Sequence, residues 1–357
     1  MKKTMAAVLA LALLVSLMII PAQAAGDQFT EGAFTYERLR NGSLKLVKYN
    51  GEDDTVYIPA NVGGFAVERI AEYAFDGAKV SKVTIPESVK MISTFAFNNC
   101  KNIQRIDIPN SVYFIDGNPF TGCTSLVNIY VRTDHPTLRV IVSDGSLYSM
   151  ANKMLICCPS SKAVEEYQVQ ENVLAIGRYA FNGCDSIKTI KLPESVVEID
   201  EGAFWNCAKL ESVNMPATML SIGTGAFSGC ASLKNVEIPD QVTRIENGTF
   251  ENCAGLESVK LSDNLTDIGD RAFYGCKSLT AMNIPQHVKS IGIDAFNSCS
   301  ELKDVTVPIA ATAIGDGAFD NCNVSLYLHV APYAYANIYA DVYNLTVTDD
   351  NYTDFLK

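Results

Sequence analysis

The chain has 357 residues, 48% of them hydrophobic and 19% charged, with a formal net charge of −12. This acidic balance argues against a chain built to bind nucleic acid or an anionic membrane, since both require a basic surface. The apolar content excludes a disordered chain, so we expect a folded, acidic protein.

The N-terminus has the features of a secretory signal peptide. Lys2 and Lys3 precede an uncharged apolar run that ends near Ile20, and a small-x-small tripeptide follows at residues 22–24. The sequence therefore predicts a signal peptide over residues 1–24 and a mature chain near −14, because both lysines are removed. The protein would be secreted, or retained at the cell surface, without stable membrane insertion. An uncleaved anchor is the alternative, because the run approaches the length of a membrane span.

Residues 25–70 predict an N-terminal β cap. Short apolar segments between Phe29 and Ile70 alternate with turn sequences at Asn41-Gly42 and Asn50-Gly51. Such a segment would cover the first coil of a stack, whose apolar face is otherwise exposed.

A 23-residue repeat organises most of the chain after this cap. Between residues 181 and 328 a phenylalanine recurs every 23 residues, and a cysteine stands three residues after each one. A less regular version of this pattern marks the first turns, at residues 71–123. In the regular array the predicted core ladder consists of Phe181, Phe204, Phe227, Phe250, Phe273, Phe296 and Phe319, with Cys184, Cys207, Cys230, Cys253, Cys276, Cys299 and Cys322.

Each repeat carries two short apolar segments of different spacing. Val-x-Ile-Pro, as at Val236–Pro239, predicts a strand with two inward side chains that ends at the proline. Val-x-x-Ile, as at Val242–Ile245, supplies a second inward pair. One coil cannot bury these side chains alone, so coils must stack about 4.8 Å apart with their strands in parallel ladders. The predicted fold class is a repeat solenoid: a right-handed superhelix of short parallel β-strands, mainly β, with irregular coil and capping elements.

Two regions break the period. Residues 124–180 are predicted to form an irregular insertion within the solenoid, because the segments at 146–148 and 154–156 after Asp144-Gly145 suggest a β-hairpin or irregular coils. Residues 329–357 are predicted to form a C-terminal cap with a short helix at 334–340.

Residues 193–210 contain the pattern Pro-x-Ser-Val-x-x-Ile-x-x-x-Ala-Phe-x-x-Cys-x-x-Leu. This pattern is similar to the BspA-type bacterial leucine-rich repeat, and the resemblance covers roughly residues 55–330. It implies a leucine-rich-repeat solenoid of the kind found in exported and cell-surface proteins, some of which adhere to host or partner proteins. The resemblance brings no shared catalytic residues.

The cysteine pattern favours core packing over disulfides or a metal site. Parallel side chains at one repeat position are poorly directed for a disulfide, and a line of thiols cannot surround zinc tetrahedrally. No Cys-x-x-Cys pair occurs, so we expect no metal and no cofactor. Cys157 and Cys158 lie outside the ladder; in a strand one of them would face outward, which leaves a reactive thiol there as an alternative.

A hydrolase is a remote alternative. Asp134, His135, Asp144 and Cys158 could converge where residues 124–180 meet the regular coils. The common hydrolase and phosphate-loop motifs do not occur, so we expect no catalytic residues.

The remaining candidate site is the outer face of the predicted parallel sheet. Side chains that flank the inward valine of each strand should stack into two rows of mixed polarity, as on the contact faces of repeat proteins. Tyr130 and Tyr327 are the favoured contacts, because tyrosine concentrates binding energy at interfaces. The predicted ligand-binding residues are Arg105, Asp107, Asn128, Tyr130, Thr189, Lys191, Asn214, Glu237, Lys260, Asn283, Asp304 and Tyr327.

The leading functional hypothesis is a secreted, non-catalytic recognition or adhesion module. It would bind an extracellular protein or a glycan through this face, as a monomer and without a cofactor. The alternative is a structural spacer or a self-associating matrix component joined through exposed end coils.

Overall fold

The 23-residue repeat folds as one turn of a β-solenoid, which confirms the fold class predicted from the sequence. The computed structural model describes residues 26–140, 145–161, 164–331 and 334–348. The predicted signal peptide lies outside the described residues.

Thirty strands and one helix lie in the described residues, with these bounds: β1 Gln28–Glu31, β2 Phe34–Arg38, β3 Leu44–Tyr49, β4 Thr55–Tyr57, β5 Asn61–Val62, β6 Phe65–Ile70, β7 Lys82–Thr84, β8 Met91–Ile92, β9 Arg105–Ile108, β10 Phe114–Ile115, β11 Asn128–Val131, β12 Leu138–Val140, β13 Leu147–Ser149, β14 Met154–Cys157, β15 Glu166–Gln168, β16 Ala175–Ile176, β17 Thr189–Lys191, β18 Glu198–Ile199, β19 Ser212–Val213, β20 Ser221–Ile222, β21 Asn235–Glu237, β22 Arg244–Ile245, β23 Ser258–Lys260, β24 Asp267–Ile268, β25 Ala281–Asn283, β26 Ser290–Ile291, β27 Asp304–Val307, β28 Ala313–Ile314, β29 Tyr327–Val330, α1 Tyr335–Tyr343 and β30 Thr346–Thr348.

The Val-x-Ile segments build the larger ladder, here called the front sheet. Its strands neighbour their equivalents one repeat away in parallel, so that Val236 lies beside Val259 and Met282 beside Val305. The central residue of most strands is buried while its two neighbours are exposed, as a period of two requires. The front sheet comprises β4, β7, β9 and β11 before the insertion and β15, β17, β19, β21, β23, β25, β27, β29 and β30 after it.

The Val-x-x-Ile segments form a second ladder of two-residue strands. Its isoleucines align one above the next, for example Ile245, Ile268 and Ile291, and each is buried. Two ladders on different sides of each coil enclose a continuous apolar interior, which a single coil could not provide.

A column of phenylalanine rings runs through this interior. Neighbouring rings in the regular array are 4.9–5.4 Å apart between centroids and within 16° of parallel. All seven rings of the predicted ladder are at most 1% exposed. The repeat length thus sets a ring spacing close to the distance between stacked strands.

The cysteines of the ladder pack beside this column and also donate hydrogen bonds. The Sγ of Cys253 lies 3.1 Å from the carbonyl oxygen of Phe227, and the Sγ of Cys230 lies 3.2 Å from that of Phe204. The same bond, to the phenylalanine 26 residues earlier, occurs at Cys207, Cys276, Cys299 and Cys322. Cysteine therefore supplies both a small apolar volume and a donor for a buried carbonyl group.

Residues 147–157 form an antiparallel hairpin, β13–β14, within the predicted insertion. The hairpin separates two hydrophobic cores: Ile156 and Cys157 pack into the core of the first turns, whereas Leu155 and Cys158 pack into the core of the regular array. Cys158 takes the place of a ladder phenylalanine, because its carbonyl oxygen is the one that faces the Sγ of Cys184. The expectation that one of these two cysteines faces outward was wrong: both are 1% exposed, because each side of the hairpin faces a core.

Both ends of the solenoid carry aromatic caps. The ring of Tyr49, at the end of β3, stacks 5.2 Å from Phe75 and covers the first turn. At the other end, Tyr339 of α1 lies edge-on to Phe319 at 6.1 Å. Helix α1 spans residues 335–343, three residues longer at its C-terminal end than the predicted helix. The column thus ends at other aromatic side chains.

Candidate functional site

The structure places all twelve predicted ligand-binding residues at the front sheet, beside the inward residue of a strand. Eleven of them are exposed and Thr189 is half-buried. Because the strands are in register, these side chains form two rows that run from repeat to repeat, here called the front face. Arg105, Asn128, Thr189, Asp304 and Tyr327 belong to one row; Asp107, Tyr130, Lys191, Asn214, Glu237, Lys260 and Asn283 belong to the other.

Charged residues of the front face pair mainly with each other. The Nζ of Lys260 lies 2.5 Å from Oε1 of Glu237 in the preceding repeat, and Lys191 pairs with Glu166 in the same way. Within β9, the Nε of Arg105 lies 2.6 Å from Oδ1 of Asp107. These exposed pairs are screened by solvent and add little stability, so a partner can replace them at small cost.

The front face contains a groove of about 900 Å³ at its centre. Three predicted residues, Asn214, Glu237 and Lys260, line it together with Met215 and Pro239. A volume of this size lies in the range of ligand-binding clefts. A second groove, of about 620 Å³, lies between β7 and β9 and is lined in part by Arg105 and Asp107.

Exposed tyrosines mark the front face, and one of them is missing from the sequence prediction. Tyr130 is 50% exposed with Arg105 5.1 Å from its ring centroid, and Tyr327 is 45% exposed. Tyr57 is 66% exposed and occupies the same row as Tyr130, because β4 pairs with β7 in the register of the repeat. The tetrad Val56–Pro59 is a complete Val-x-Ile-Pro segment, and this signal could have identified Tyr57.

The residues of the hydrolase alternative have separate structural roles. His135 is buried; its Nδ1 accepts the N–H groups of Thr137 and Leu138, and its Nε2 bonds the carbonyl of Pro109. Burial lowers the pKa of His135, so the ring is held neutral as a turn-stabilising group. Asp134 pairs with Arg132 at the surface. Cys158 lies in the core, and Asp144 lies outside the described residues.

The buried thiols have the electrostatics of structural groups. Burial raises the pKa of Cys253, Cys276 and Cys299 above its usual range, and that of Cys322 to about 12. All eleven cysteines are unpaired thiols. The reactive thiolate form of Cys253, Cys276, Cys299 and Cys322 is therefore suppressed at neutral pH.

Neither a metal centre nor a membrane span is found among the residues that the structure describes. No group of three or more His, Cys, Asp or Glu side chains is placed to hold a metal ion there. No helix of that part of the chain is long and apolar enough to cross a membrane.

The sequence matches the family model described as "BspA type Leucine rich repeat region". The match comprises six copies over residues 56–143, 157–245 and 220–344. It includes every predicted ligand-binding residue and the whole phenylalanine column. No curated protein sequence matches the chain.

Several solved bacterial structures resemble the chain. A leucine-rich repeat protein from Eubacterium ventriosum has a TM-score of 0.63 at 19% identity, over 84% of this chain and 96% of that one. A leucine rich cell surface protein from Faecalibacterium prausnitzii has a TM-score of 0.49 at 21% identity, over 80% of this chain and 95% of that one. The pneumococcal vaccine antigen PcpA has a TM-score of 0.49 at 17% identity, over 91% of this chain and 99% of that one. The first of these supports the solenoid fold.

Proposed function

Since the chain belongs to the BspA-type leucine-rich-repeat family, we propose that it is an exported, non-catalytic recognition protein that binds a partner protein through its front face. The predicted signal peptide supports export. The resemblance of the chain to BspA-type repeats, which occur in exported and cell-surface proteins, supports a role outside the cell. No cofactor is needed for recognition of this kind.

The repetition of the front face carries this proposal. Four strands before the insertion and nine after it present exposed side chains beside their inward residues, and a groove of about 900 Å³ interrupts the polar rows near Glu237 and Lys260. The backbone of these strands is already ordered, so binding orders side chains but little main chain, and many moderate contacts can add up to a specific complex.

A protein partner fits the distribution of aromatic and charged groups on this face. Tyr57 and Tyr130 offer rigid, amphipathic contact area, and tyrosine is enriched among residues that dominate binding energy. The exposed ion pairs, such as Glu237 with Lys260, can exchange partners with charges on another protein and so fix its register.

End-to-end self-association is disfavoured by the caps. Tyr49 and Tyr339 cover the first and last rings of the column, so within residues 26–348, as far as the structure describes them, the ends present no uncovered ladder phenylalanine to a second copy. Light scattering over a range of concentrations tests this point, because a filament-forming protein would grow in mass whereas a capped monomer would not.

The test of the front face is a comparison of captured proteins. The double variant Glu237→Lys with Lys260→Glu keeps an ion pair but reverses its direction, so it separates recognition from stability. We expect proteins captured by the unaltered chain to be lost with this variant and with Tyr130→Ala. Lys289→Glu, an exposed charge change beside the second ladder, is the matched control and should keep them. If the charge-exchanged double variant and Tyr130→Ala both captured the same proteins as the control, the assignment to the front face would be refuted.

A further inference from the structure

A row of aromatic side chains, one of them the buried Tyr179, lies on the corner that precedes the phenylalanine column. The rings of Tyr73 and Phe95 stack at 5.2 Å, Phe95 and Tyr179 meet at 4.5 Å, and Tyr179 and Trp205 are 5.5 Å apart. We call these four residues the aromatic ridge. Tyr73 is 47% exposed and Trp205 is 40% exposed, so both ends of the ridge face solvent.

Three of the four ridge residues adopt a backbone conformation that bulky residues rarely accept. Tyr73, Phe95 and Tyr179 have φ of 59°, 60° and 55°, in the left-handed region, where Gly225 and Gly248 stand in later repeats. Glycine is the residue that accepts this conformation without steric cost, so aromatic side chains here are opposed by local backbone preference. A strained residue held in this way is a reason to look for a function.

A groove of about 510 Å³ begins at the end of the ridge. Tyr179 and Trp205 line its first part, and Arg271 lines the other end. Gly225 leaves its centre open, because a Cβ at this position would meet nothing closer than the Cβ of Ser228, at 3.9 Å. We call this space the aromatic groove.

Hydrogen-bonding groups surround the aromatic groove. The carboxylate of Glu201 accepts a hydrogen bond from the hydroxyl of Tyr179 at 2.9 Å. Oε1 of Glu251 lies 2.7 Å from Nη2 of Arg271. Thr224, Ser228 and Asn247 add hydroxyl and amide groups to the lining. Acceptors and donors therefore lie in the same groove lining as the exposed ring of Trp205.

Two of the three carboxylates that line the aromatic groove pair with arginines, and the third, that of Asp270, accepts the backbone N–H of Ile293. Glu251 pairs with Arg271, and Glu201 pairs with Arg178 at 3.1 Å. A strongly charged ligand would have to displace these pairs, whereas an uncharged ligand rich in hydroxyl groups can bond the remaining acceptors and donors. Sugar rings have that chemistry, and their C–H faces pack on aromatic rings such as Trp205.

We propose that the aromatic groove is a second binding site, and that its ligand is an uncharged oligosaccharide. The sugar would stack on Trp205 beside Tyr179 and bond the carboxylate and hydroxyl groups over Gly225. This site lies on the corner that precedes the phenylalanine column, away from the front face, so one protein could hold a glycan and a partner protein at the same time. Its function does not depend on the proposal for the front face.

Trp205 gives a direct readout, because it is the one tryptophan of the chain. The purified protein is titrated with neutral hexasaccharides (cellohexaose, xylohexaose, mannohexaose and chitohexaose), and both tryptophan fluorescence and binding heat are recorded. We expect a saturable response to at least one of them. No response to any up to about 10 mM, above the roughly 1 mM Kd of a weak site, would overturn the proposal. A response to hexalysine alone would also overturn it, in favour of a basic peptide.

Two variants separate binding from folding. Tyr179→Gly removes a buried ring but gives the backbone the residue found at this repeat position elsewhere, so the protein should fold with lower stability while binding weakens about tenfold or more. Gly225→Asn fills the centre of the groove with a residue that tolerates positive φ, and should abolish binding. Gly77→Asn is the matched control, since a Cβ at Gly77 also meets open space but outside the groove. Full binding by folded Gly225→Asn would overturn the proposal, and Tyr130→Ala on the front face should leave glycan binding unchanged.

Discussion

The phenylalanine column predicts a large loss of stability when one central ring is removed. Phe250 is fully buried, and its ring stacks 5.4 Å from Phe227 on one side and 5.4 Å from Phe273 on the other. A Phe→Ala change in a core lowers the free energy of unfolding by about 3–5 kcal/mol. Two stacked pairs, each contributing about 0.5–1.5 kcal/mol beyond area burial, place Phe250→Ala near the upper end of that range.

Phe250→Leu serves as the comparison, because it keeps most of the apolar volume and removes only the stacking. We expect it to cost about 1–3 kcal/mol. Urea unfolding followed by circular dichroism measures both variants, and Trp205 fluorescence reports on a turn two repeats away. A loss below about 1.5 kcal/mol for Phe250→Ala, with an unchanged dependence on urea concentration, would show that the column is not a main source of stability.

Three further predictions concern thiols and pH. A thiol reagent should leave the native protein almost unmodified, with partly exposed Cys322 as the exception, and should label all eleven cysteines in urea. Rapid labelling of Cys157 in the native protein would contradict the burial of the hairpin. Cys253→Ser keeps a donor to the carbonyl group of Phe227 and should lower the free energy of unfolding by about 1 kcal/mol. Cys253→Val lacks a donor and is bulkier, so it should lower that free energy by about 1–3 kcal/mol. The reverse order would show that the hydrogen bond does not explain the cysteine. Burial, helped by Glu198, raises the pKa of Asp200 to about 6, so the folded state binds this proton more tightly than the unfolded state does. The contribution of Asp200 to the free energy of unfolding should therefore fall as pH rises from about 4 to about 6. Asp200→Asn should flatten that fall in thermal unfolding, and an identical slope in both proteins would contradict it.

The spacing of the repeat was enough to predict the solenoid, because a 23-residue period with two apolar segments admits few ways to bury them. The same spacing located the front face, since residues beside an inward valine must point outward from a sheet. The hydrogen bond from Cys253 to Phe227 could not be predicted from the sequence, because it joins residues 26 apart and depends on how the coils stack. The aromatic ridge could not be predicted from the sequence either. Phe95 and Tyr179 are 84 residues apart with the hairpin β13–β14 between them in sequence, so the spacing of the repeat does not show that their rings meet.

The hairpin β13–β14 divides what would otherwise be one cooperative column. Since Ile156 and Cys157 belong to one core and Leu155 and Cys158 to the other, ring stacking does not pass through this level as it does between regular repeats. In a stack whose turns are held by their neighbours, a weaker junction limits how far disorder spreads from either end. Hydrogen exchange should therefore show two blocks of protection that meet at the hairpin, so that damage to the first turns leaves the later repeats, and the groove at Glu237 and Lys260, intact.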